Sequence, residues 1–241
     1  MSRPDLFTRD RNWHPPQYDP GYKSTVLRSP RRNLISLEKG GEGELTGPVF
    51  GHQILDELDN DLIRNYATDG DAIGERIVVH GQVLDQNAKP QPGVLLEVWQ
   101  ANAGGRYRHV VDGYVAPLDP NFGGCGRCIT DDEGRYFFRT IRPGPYPWRN
   151  NGCEWRPAHI HISIFGHAFT QRLVTQLYFE GDPLIPLCPI LNTITDPAAV
   201  DMLIARLDME NQKVFDSLAY RFDMVLRGQR STYFEKRPQG N

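Results

Sequence analysis

A His-x-His pair, His159 and His161, offers the clearest candidate chemistry in this sequence of 241 residues. Successive side chains of a β-strand point to opposite faces, so a strand here would place both imidazoles on one face. Ile160, Ile162 and Ile164 would then occupy the other face, as expected of a strand that covers a core. Because imidazole is the commonest neutral metal ligand in proteins, the pattern predicts a metal site on the histidine face.

The histidine pair by itself leaves the metal open. A cupin-type site would require a Glu shortly after the pair, and residues 162–166 contain none. A zinc site could recruit a third histidine, and a ferrous site with two histidines could recruit a carboxylate. The candidates for these additional ligands are His80, His109 and His167 for zinc, and Asp112 and Glu154 for ferrous iron.

Tyrosine is another kind of additional ligand. A phenol with a pKa of about 10 needs a strongly Lewis-acidic ion to bind as phenolate, and ferric iron is such an ion. Tyr146 lies between Pro145 and Pro147, which stiffen the backbone there. Tyr107, in GGRYRHV, is a second candidate. Spacing alone does not choose between zinc and iron.

Short strands separated by turns rich in Gly and Pro account for most of the remaining pattern. Alternation and β-branched residues predict strands in ERIVVHGQVLDQ, GVLLEVWQANA, RYFFRTI, RLVTQLYFEGD and AYRFDMVLRG, besides the histidine strand. A long loop is expected over 104–128 and a turn over 131–134. Together these features predict a mainly β protein with a β-sandwich core, long functional loops and few short helices.

One helix is expected near the C-terminal end of the pattern. Thr195 or Asp196 can cap it, and Pro197 suits its first position. Its apolar face would consist of Val200, Leu203, Ile204 and Leu207. A second, short helix is expected over 55–66.

Two regions with different roles are expected. Residues 1–75 lack a sustained period and are interpreted as an extended N-terminal arm that makes subunit contacts. Residues 76–241 are interpreted as a β-sandwich domain that carries the metal site.

Composition limits the classes of function. A formal net charge of −3 with 39% hydrophobic and 24% charged residues is ordinary for a globular protein, and it favours no nucleic-acid partner. A secretory signal pattern and an apolar run of membrane-spanning length are both absent from the sequence, so we expect a cytoplasmic protein without a membrane partner.

The cysteines are too few and too irregular for a disulfide framework, and Cys125-x-x-Cys128 lacks the second pair of a zinc motif. Reduced thiols are expected.

Several segments carry a resemblance to a known family. LLEVWQANAGGRY, DDEGRYFFRTIRPGPYP and RPAHIH follow one another as in the intradiol ring-cleaving dioxygenases, and RDRNWHPP, QLYFEGDPLIP and YRFDMVLRGQR extend the match over nearly the whole chain. The sequence is most similar to the catalytic chains of the branch that cleaves protocatechuate. The resemblance implies one non-haem Fe(III) per chain and no organic cofactor. The implied ligands are Tyr107, Tyr146, His159 and His161.

The resemblance also implies roles for other residues. Arg156 matches an arginine that stabilises the electron-rich bound ring, and Tyr146 matches the tyrosine that leaves the metal when substrate binds. Gln176 matches a polar residue near the O₂ side. The implied substrate-pocket residues are Tyr22, Trp148, Arg156 and Ile190, and Trp99 matches a residue that helps to position the metal site from behind the ligands.

The implied reaction inserts both atoms of O₂ into protocatechuate between its two hydroxyl-bearing carbons, as part of aromatic degradation by the β-ketoadipate pathway. The implied assembly pairs the chain with a homologous α subunit in a larger hetero-oligomer. The alternatives are an intradiol enzyme for catechol or hydroxyquinol and a β-sandwich binding protein without catalysis.

Overall fold

The computed structural model describes residues 55–85, 87–149, 152–165 and 172–226. Within these ranges the chain forms eleven strands, an α-helix (α1, Pro197–Asp201) and two 3-10 helices (Ile185–Leu187 and Leu191–Thr193). The strands are β1 (Arg76–Asp85), β2 (Leu95–Gln100), β3 (Cys125–Ile129), β4 (Arg135–Ile141), β5 (Tyr146–Arg149), β6 (Cys153–Arg156), β7 (His159–Phe165), β8 (Arg172–Phe179), β9 (Ile204–Leu207), β10 (Leu218–Arg221) and β11 (Met224–Leu226).

Nine of these strands belong to one sheet that folds over on itself. Its order is β3–β2–β7–β8–β9–β10–β1–β4, with β11 continuing the parallel pairing along β1. Leu96 of β2 and Phe138 of β4, which come from opposite ends of this order, belong to the same buried apolar cluster. The two ends of the sheet therefore face each other across one core, which confirms the prediction of a mainly β sandwich.

The alternation predicted for the histidine strand is present in β7. Ile160, Ile162 and Ile164 are each at most 1% exposed and belong to the main core. His159 and His161 point to the opposite face, and their backbone is held by antiparallel pairing with β2 or β8 on either side. A strand paired on both edges gives the two imidazoles a rigid base.

The helix expected over 55–66 is wrong. These residues form successive turns, in which the Leu62 N–H donates to the Arg139 carbonyl at 2.9 Å and the Arg139 N–H donates to the Asn60 carbonyl at 2.8 Å. The Arg139 Nη1 atom also lies 2.8 Å from Asp61 Oδ2. The Leu62 N–H and the Asn60 carbonyl, which a helix would have bonded internally, are thus hydrogen-bonded to β4 instead.

The helix expected at Pro197 is present but shorter than its apolar pattern indicates. The Asp196 side chain accepts the Ala198 N–H at 2.9 Å, as predicted for the N-cap, and α1 ends at Asp201. Ile204 and Leu207, assigned to the helix by their spacing, lie instead in β9, which pairs with β8 and β10. Sheet pairing on both edges overrides the helical period.

Three further differences concern the loops and the last strand. The loop expected over 104–128 ends earlier, because β3 begins at Cys125 and pairs with β2. The segment before the histidine pair forms a hairpin of β5 and β6, which sequence patterning did not predict. The closing strand is divided into β10 and β11, which both run parallel to β1.

The arm expected over residues 1–75 lies largely outside the described residues. Of its described part, Leu62, Ile63 and Ala72 are buried in the main core, so residues 55–75 pack on the sandwich. The boundary at residue 75 stays a prediction. Among the described residues there is no helix with the length and apolarity that crossing a membrane requires.

Candidate metal centre

Four side chains singled out from the sequence meet at one point of the sandwich. The Tyr107 hydroxyl oxygen lies 3.1 Å from His161 Nε2 and 3.4 Å from His159 Nε2. The Tyr146 hydroxyl oxygen lies 3.3 Å from His159 Nε2. Two phenol oxygens and two imidazole nitrogens therefore converge within a space suited to one ion.

Three different parts of the fold bring these donors together. His159 and His161 project from β7, while Tyr146 is the first residue of β5. Tyr107 follows β2, which pairs with β7 so that Trp99 lies opposite His161. The site therefore depends on the packing of the β5–β6 hairpin and the loop after β2 against the histidine strand.

The two imidazoles are oriented by different contacts. His159 Nδ1 lies 2.7 Å from the Pro157 carbonyl oxygen, and a carbonyl only accepts, so Nδ1 carries the proton and Nε2 presents its lone pair to the phenols. Within the described part of the chain, His161 Nδ1 has no hydrogen-bond partner. Its ring instead stacks on Trp99, with centroids 4.8 Å apart and planes inclined by 4°.

Burial sets the protonation state of the donors. Burial, reinforced by the charge of Arg156, lowers the pKa of His161 to about 3 and holds the pKa of His159 well below its usual value. Burial also raises the pKa of Tyr107 well above 10, with the neighbouring Tyr146 adding to the effect, and burial raises the pKa of Tyr146. Neutral imidazoles are ready to bind a metal, whereas the phenols require a strongly charged cation to ionise. The donor set fits a trivalent metal ion.

The other ligands considered from the sequence do not complete this site. In the described part of the chain, no three His, Cys, Asp or Glu side chains form a group that could hold a metal. The carboxylate oxygens of Asp112 accept the backbone N–H groups of Tyr107 and Tyr114, at 2.8 and 2.9 Å. His80 pairs with Asp208 at 2.9 Å, and His167 lies outside the described residues.

Arg156 lies directly opposite Tyr146 in the β5–β6 hairpin and is 3% exposed. Its Nη2 donates to Gln176 Oε1 at 2.5 Å and to the Tyr178 hydroxyl at 3.0 Å. Burial alone would lower the pKa of Arg156, but the nearby Tyr178, Cys188 and Tyr146 raise it above its usual value. A charged guanidinium is thus fixed beside the tyrosine and histidine donors.

Tyr178 and Cys188 complete this layer, and sequence reasoning missed both. The Tyr178 hydroxyl donates to Gln176 Oε1 at 2.7 Å, and burial raises the pKa of Tyr178 well above its usual value. Cys188 is fully buried. Strand alternation could have found Tyr178, because it follows Gln176 by two residues on the same face of β8, and the pair lies opposite His161 and His159.

Three of the four predicted pocket residues, Trp148, Arg156 and Ile190, lie close to one another in the fold. Ile190 is 7% exposed and shares a second apolar cluster with Tyr178 and Cys188, and Trp148 packs against that cluster. The Arg156 guanidinium carbon lies 5.8 Å from the centre of the Trp148 ring. Tyr22 lies outside the described residues.

The four cysteines are free thiols, as expected. Cys125 and Cys128 are three residues apart on β3, so they point to opposite faces; Cys125 is exposed and Cys128 is buried. Burial raises the pKa of Cys128 to about 12. The pair therefore has the features of strand residues rather than of a reactive redox motif.

Comparison with known proteins agrees with this site. A family model described as Dioxygenase matches residues 45–228, and one described as the N terminal of the protocatechuate 3,4-dioxygenase beta subunit matches residues 7–39. The chain belongs to the intradiol ring-cleavage dioxygenases and is an oxidoreductase. It is 50% identical over 238 residues to the protocatechuate 3,4-dioxygenase beta chain of Burkholderia cepacia, covering 98% of this chain and 100% of that one.

More distant relatives include another chain type and a solved structure. The protocatechuate 3,4-dioxygenase alpha chain of Pseudomonas putida is 38% identical over 168 residues, which cover 68% of this chain and 77% of that one. The crystal structure of 3-chlorocatechol 1,2-dioxygenase from Rhodococcus opacus superposes with a TM-score of 0.54 at 28% identity, covering 71% of this chain and 65% of that one. The membership expected from the sequence motifs is confirmed.

Proposed function

We propose that this protein is the catalytic chain of an intradiol dioxygenase that opens protocatechuate with O₂. The reaction breaks the bond between the two hydroxyl-bearing carbons, and each of these carbons receives one oxygen atom of O₂. The product, 3-carboxy-cis,cis-muconate, contains all atoms of both reactants, so no external reductant is consumed. The observation that carries the proposal is the convergence of the Tyr107, Tyr146, His159 and His161 donor atoms.

These four residues would hold one Fe(III) ion. Two phenolates offset two of its three positive charges, and the imidazoles remain neutral because burial lowers their pKa values. When bound, the ion supplies a coordination site for both catechol oxygens and makes the ring reactive towards O₂.

Tyr146 is the residue proposed to accept a proton from the substrate. Its hydroxyl oxygen lies 3.3 Å from Nε2 of one histidine, His159, whereas the Tyr107 hydroxyl oxygen lies within 3.4 Å of Nε2 of both histidines. Burial raises the pKa of Tyr146, so its oxygen accepts a proton readily once it is no longer bound to a cation. Tyr146 would thus take up a proton from an arriving catechol.

Arg156 is proposed to stabilise negative charge on the bound ring and on the oxygen that attacks it. Its guanidinium is buried and already fixed by Gln176 and Tyr178, so little reorganisation is needed when charge develops. Gln176 and Tyr178 are neutral partners and leave that positive charge uncancelled. Trp148 and Ile190 would pack against the ring of the substrate.

The substrate and the partner are inferred from the relatives. Identity of 50% over nearly the whole chain supports protocatechuate, and the match of residues 7–39 to an N-terminal beta-subunit model supports the same branch. Tyr22 would lie near the substrate carboxylate.

Since the relatives include beta and alpha chains, we infer an α-type partner in a hetero-oligomer. Apolar side chains in the loop after Tyr107, at Val110, Val111 and Val115, are 82–97% exposed, which suits coverage by such a partner.

The test combines a spectrum with a product analysis. The protein is purified with an α-type partner, loaded with ferric iron and examined for the red-brown charge-transfer band of iron-bound tyrosinate. Protocatechuate, catechol and hydroxyquinol are then supplied with ¹⁸O₂, and both labelled atoms are expected in the product of protocatechuate. A colourless iron-loaded protein would refute the ligand set, and faster turnover of catechol or hydroxyquinol would refute the substrate.

A further inference from the structure

Three chain reversals in this protein share one hydrogen-bond pattern. In each, the side-chain Oδ1 of the first residue accepts two backbone N–H groups, those of the residues two and four positions later. The backbone carbonyl of the first residue accepts the N–H of the residue three positions later. The backbone N–H of the first residue donates to the carbonyl of the residue four positions later. The three reversals are Asp85–Lys89, Asn102–Arg106 and Asp131–Arg135. Two of them begin with Asp, and the one nearest the candidate metal centre begins with Asn.

Asn102 makes two contacts beyond those of the Asp turns. Its Nδ2 donates to the Pro117 carbonyl at 2.9 Å, a bond that a carboxylate cannot form. Its carbonyl oxygen accepts the Gly144 N–H at 2.9 Å in addition to the Gly105 N–H at 2.9 Å. Asn102 itself is buried, at 6% exposed, whereas its partner Pro117 lies at the surface.

These bonds connect the two segments that carry the tyrosines. Gly105 precedes Tyr107 by two residues, and Gly144 precedes Tyr146 by two residues. A Cβ atom on Gly105 would lie 2.2 Å from the Pro145 carbonyl oxygen, and one on Gly144 would lie 2.3 Å from the Ala103 carbonyl oxygen. The two backbones therefore touch at a point where only glycine fits, with the Asn102 carbonyl bonded to both.

The far end of the loop after Tyr107 is tied to the same turn. The Asn102 amide holds the Pro117 carbonyl, and the neighbouring Arg106 Nη1 holds the Ala116 carbonyl at 2.8 Å. The loop that begins at Tyr107 thus returns to the turn from which it started.

We propose that Asn102 is a positioning residue that sets the placement of Tyr107 relative to Tyr146. Their rings meet edge to face, with centroids 5.5 Å apart and planes at 82°. Asn102 acts through the backbones that carry the two rings, by its bonds to Gly105, Arg106 and Gly144. The inference rests on the proposed function only in so far as the two tyrosines bind iron.

Amide hydrogen exchange tests the connection without relying on metal or activity. The whole chain is compared, metal-free and iron-loaded, as wild type, Asn102→Ala and Asp131→Ala; the last removes the same turn bonds from an exposed turn. Asn102→Ala keeps the backbone carbonyl that accepts the Gly105 and Gly144 N–H groups, but it loses the three side-chain bonds that fix this carbonyl in the turn. Exchange at both glycines is therefore expected to be about tenfold faster. Asp131→Ala is expected to speed exchange at Gly134 and to leave Gly144 unchanged. Wild-type protection of Gly144 in Asn102→Ala would overturn the proposal.

Iron retention and the visible spectrum give the second readout. Asn102→Asp keeps the side-chain oxygen that accepts the turn bonds and loses the amide that donates to Pro117. Asp131→Asn, the opposite substitution in an equivalent turn, is the matched control. Release of iron to a chelator is expected to be about 10- to 100-fold faster in Asn102→Ala, with a shifted tyrosinate band, and less accelerated in Asn102→Asp. Asp131→Asn is expected to match the wild type. Release from Asn102→Ala no faster than from Asp131→Ala would show that Asn102 only stabilises the fold. A wild-type protein without the band would refute the proposed metal site, whereas Gly144 exchange would still report on Asn102.

Discussion

The indole ring of Trp99 lies parallel to the imidazole of His161, with ring centroids 4.8 Å apart. The two residues are direct partners in the pairing of β2 with β7, so the sheet itself places one ring over the other. Because no described residue forms a hydrogen bond with His161 Nδ1, stacking takes the orienting role that the Pro157 carbonyl has for His159. The two candidate ligands are therefore held by different kinds of contact.

Replacing Trp99 should loosen His161 without removing a ligand. Trp99→Ala is expected to weaken iron binding about 10- to 100-fold, the usual cost of losing a group that orients a metal ligand, and Trp99→Phe should retain much of the affinity because a ring remains to stack. Chelator competition measures the effect. Trp155→Ala, which removes a 44% exposed indole, is the control. Equal affinity in Trp99→Ala and wild type would contradict the role.

Tyr107→Phe tests the tyrosine whose hydroxyl oxygen lies 3.4 Å from His159 Nε2 and 3.1 Å from His161 Nε2. The loss of its hydroxyl removes one of the two proposed phenolate donors, so the iron-loaded variant should show a weaker and shifted visible band. Tyr114→Phe, in the loop after Tyr107, is the matched control and should leave the band unchanged. An unaltered spectrum in Tyr107→Phe would remove that residue from the ligand set.

How much of the site can be predicted from the sequence depends on how far apart along the chain the interacting residues lie. Strand alternation over three residues is enough to place His159 and His161 on one face. Tyr107 and Tyr146 were two of several candidate ligands, and only the motif resemblance selected them, because their proximity arises from glycine contacts between distant segments. The helical spacing of Ile204 and Leu207 was misleading because pairing partners far along the chain draw them into β9. The turn bonds of Asn102 are local, whereas its bonds to Pro117 and Gly144 exist only in the folded chain.

Arg156 and Tyr178 should affect turnover differently. Arg156→Ser removes a fixed charge and is expected to lower kcat for O₂ uptake about 100- to 1000-fold with iron retained. Tyr178→Phe leaves the charge but removes a hydroxyl that holds the guanidinium, so a smaller fall in kcat with little change in KM is expected. Tyr220→Phe, a buried tyrosine of β10, is the control. Wild-type O₂ uptake in Arg156→Ser would contradict the role of that residue.

Cys128 should make the fold sensitive to alkaline pH. Burial raises its pKa to about 12, whereas the thiol of the unfolded chain loses its proton near pH 9. Between these values the unfolded state binds fewer protons than the folded state, so stability should fall as pH rises, by about 1.4 kcal/mol per pH unit from this group. Urea unfolding from pH 8 to 11 measures the slope, which Cys128→Ala should reduce. Equal slopes in the two proteins would contradict the assignment, and Cys153→Ala, at an exposed thiol, is the control.

Two buried threonines should respond oppositely to replacement by valine. The Thr175 hydroxyl of β8 is fully buried and has no hydrogen-bond partner among the described residues, while the Thr140 hydroxyl of β4 donates to Gln100 Oε1 at 2.8 Å. Thr175→Val replaces an unpaired polar group by a methyl group of similar shape and should raise the free energy of unfolding by about 1 kcal/mol. Thr140→Val removes a donor from a buried acceptor and should lower that free energy by about 1–3 kcal/mol. Urea unfolding at neutral pH measures both variants. A loss of stability in Thr175→Val would show that its hydroxyl has a partner in solution, and unchanged stability in Thr140→Val would show that the bond to Gln100 contributes little.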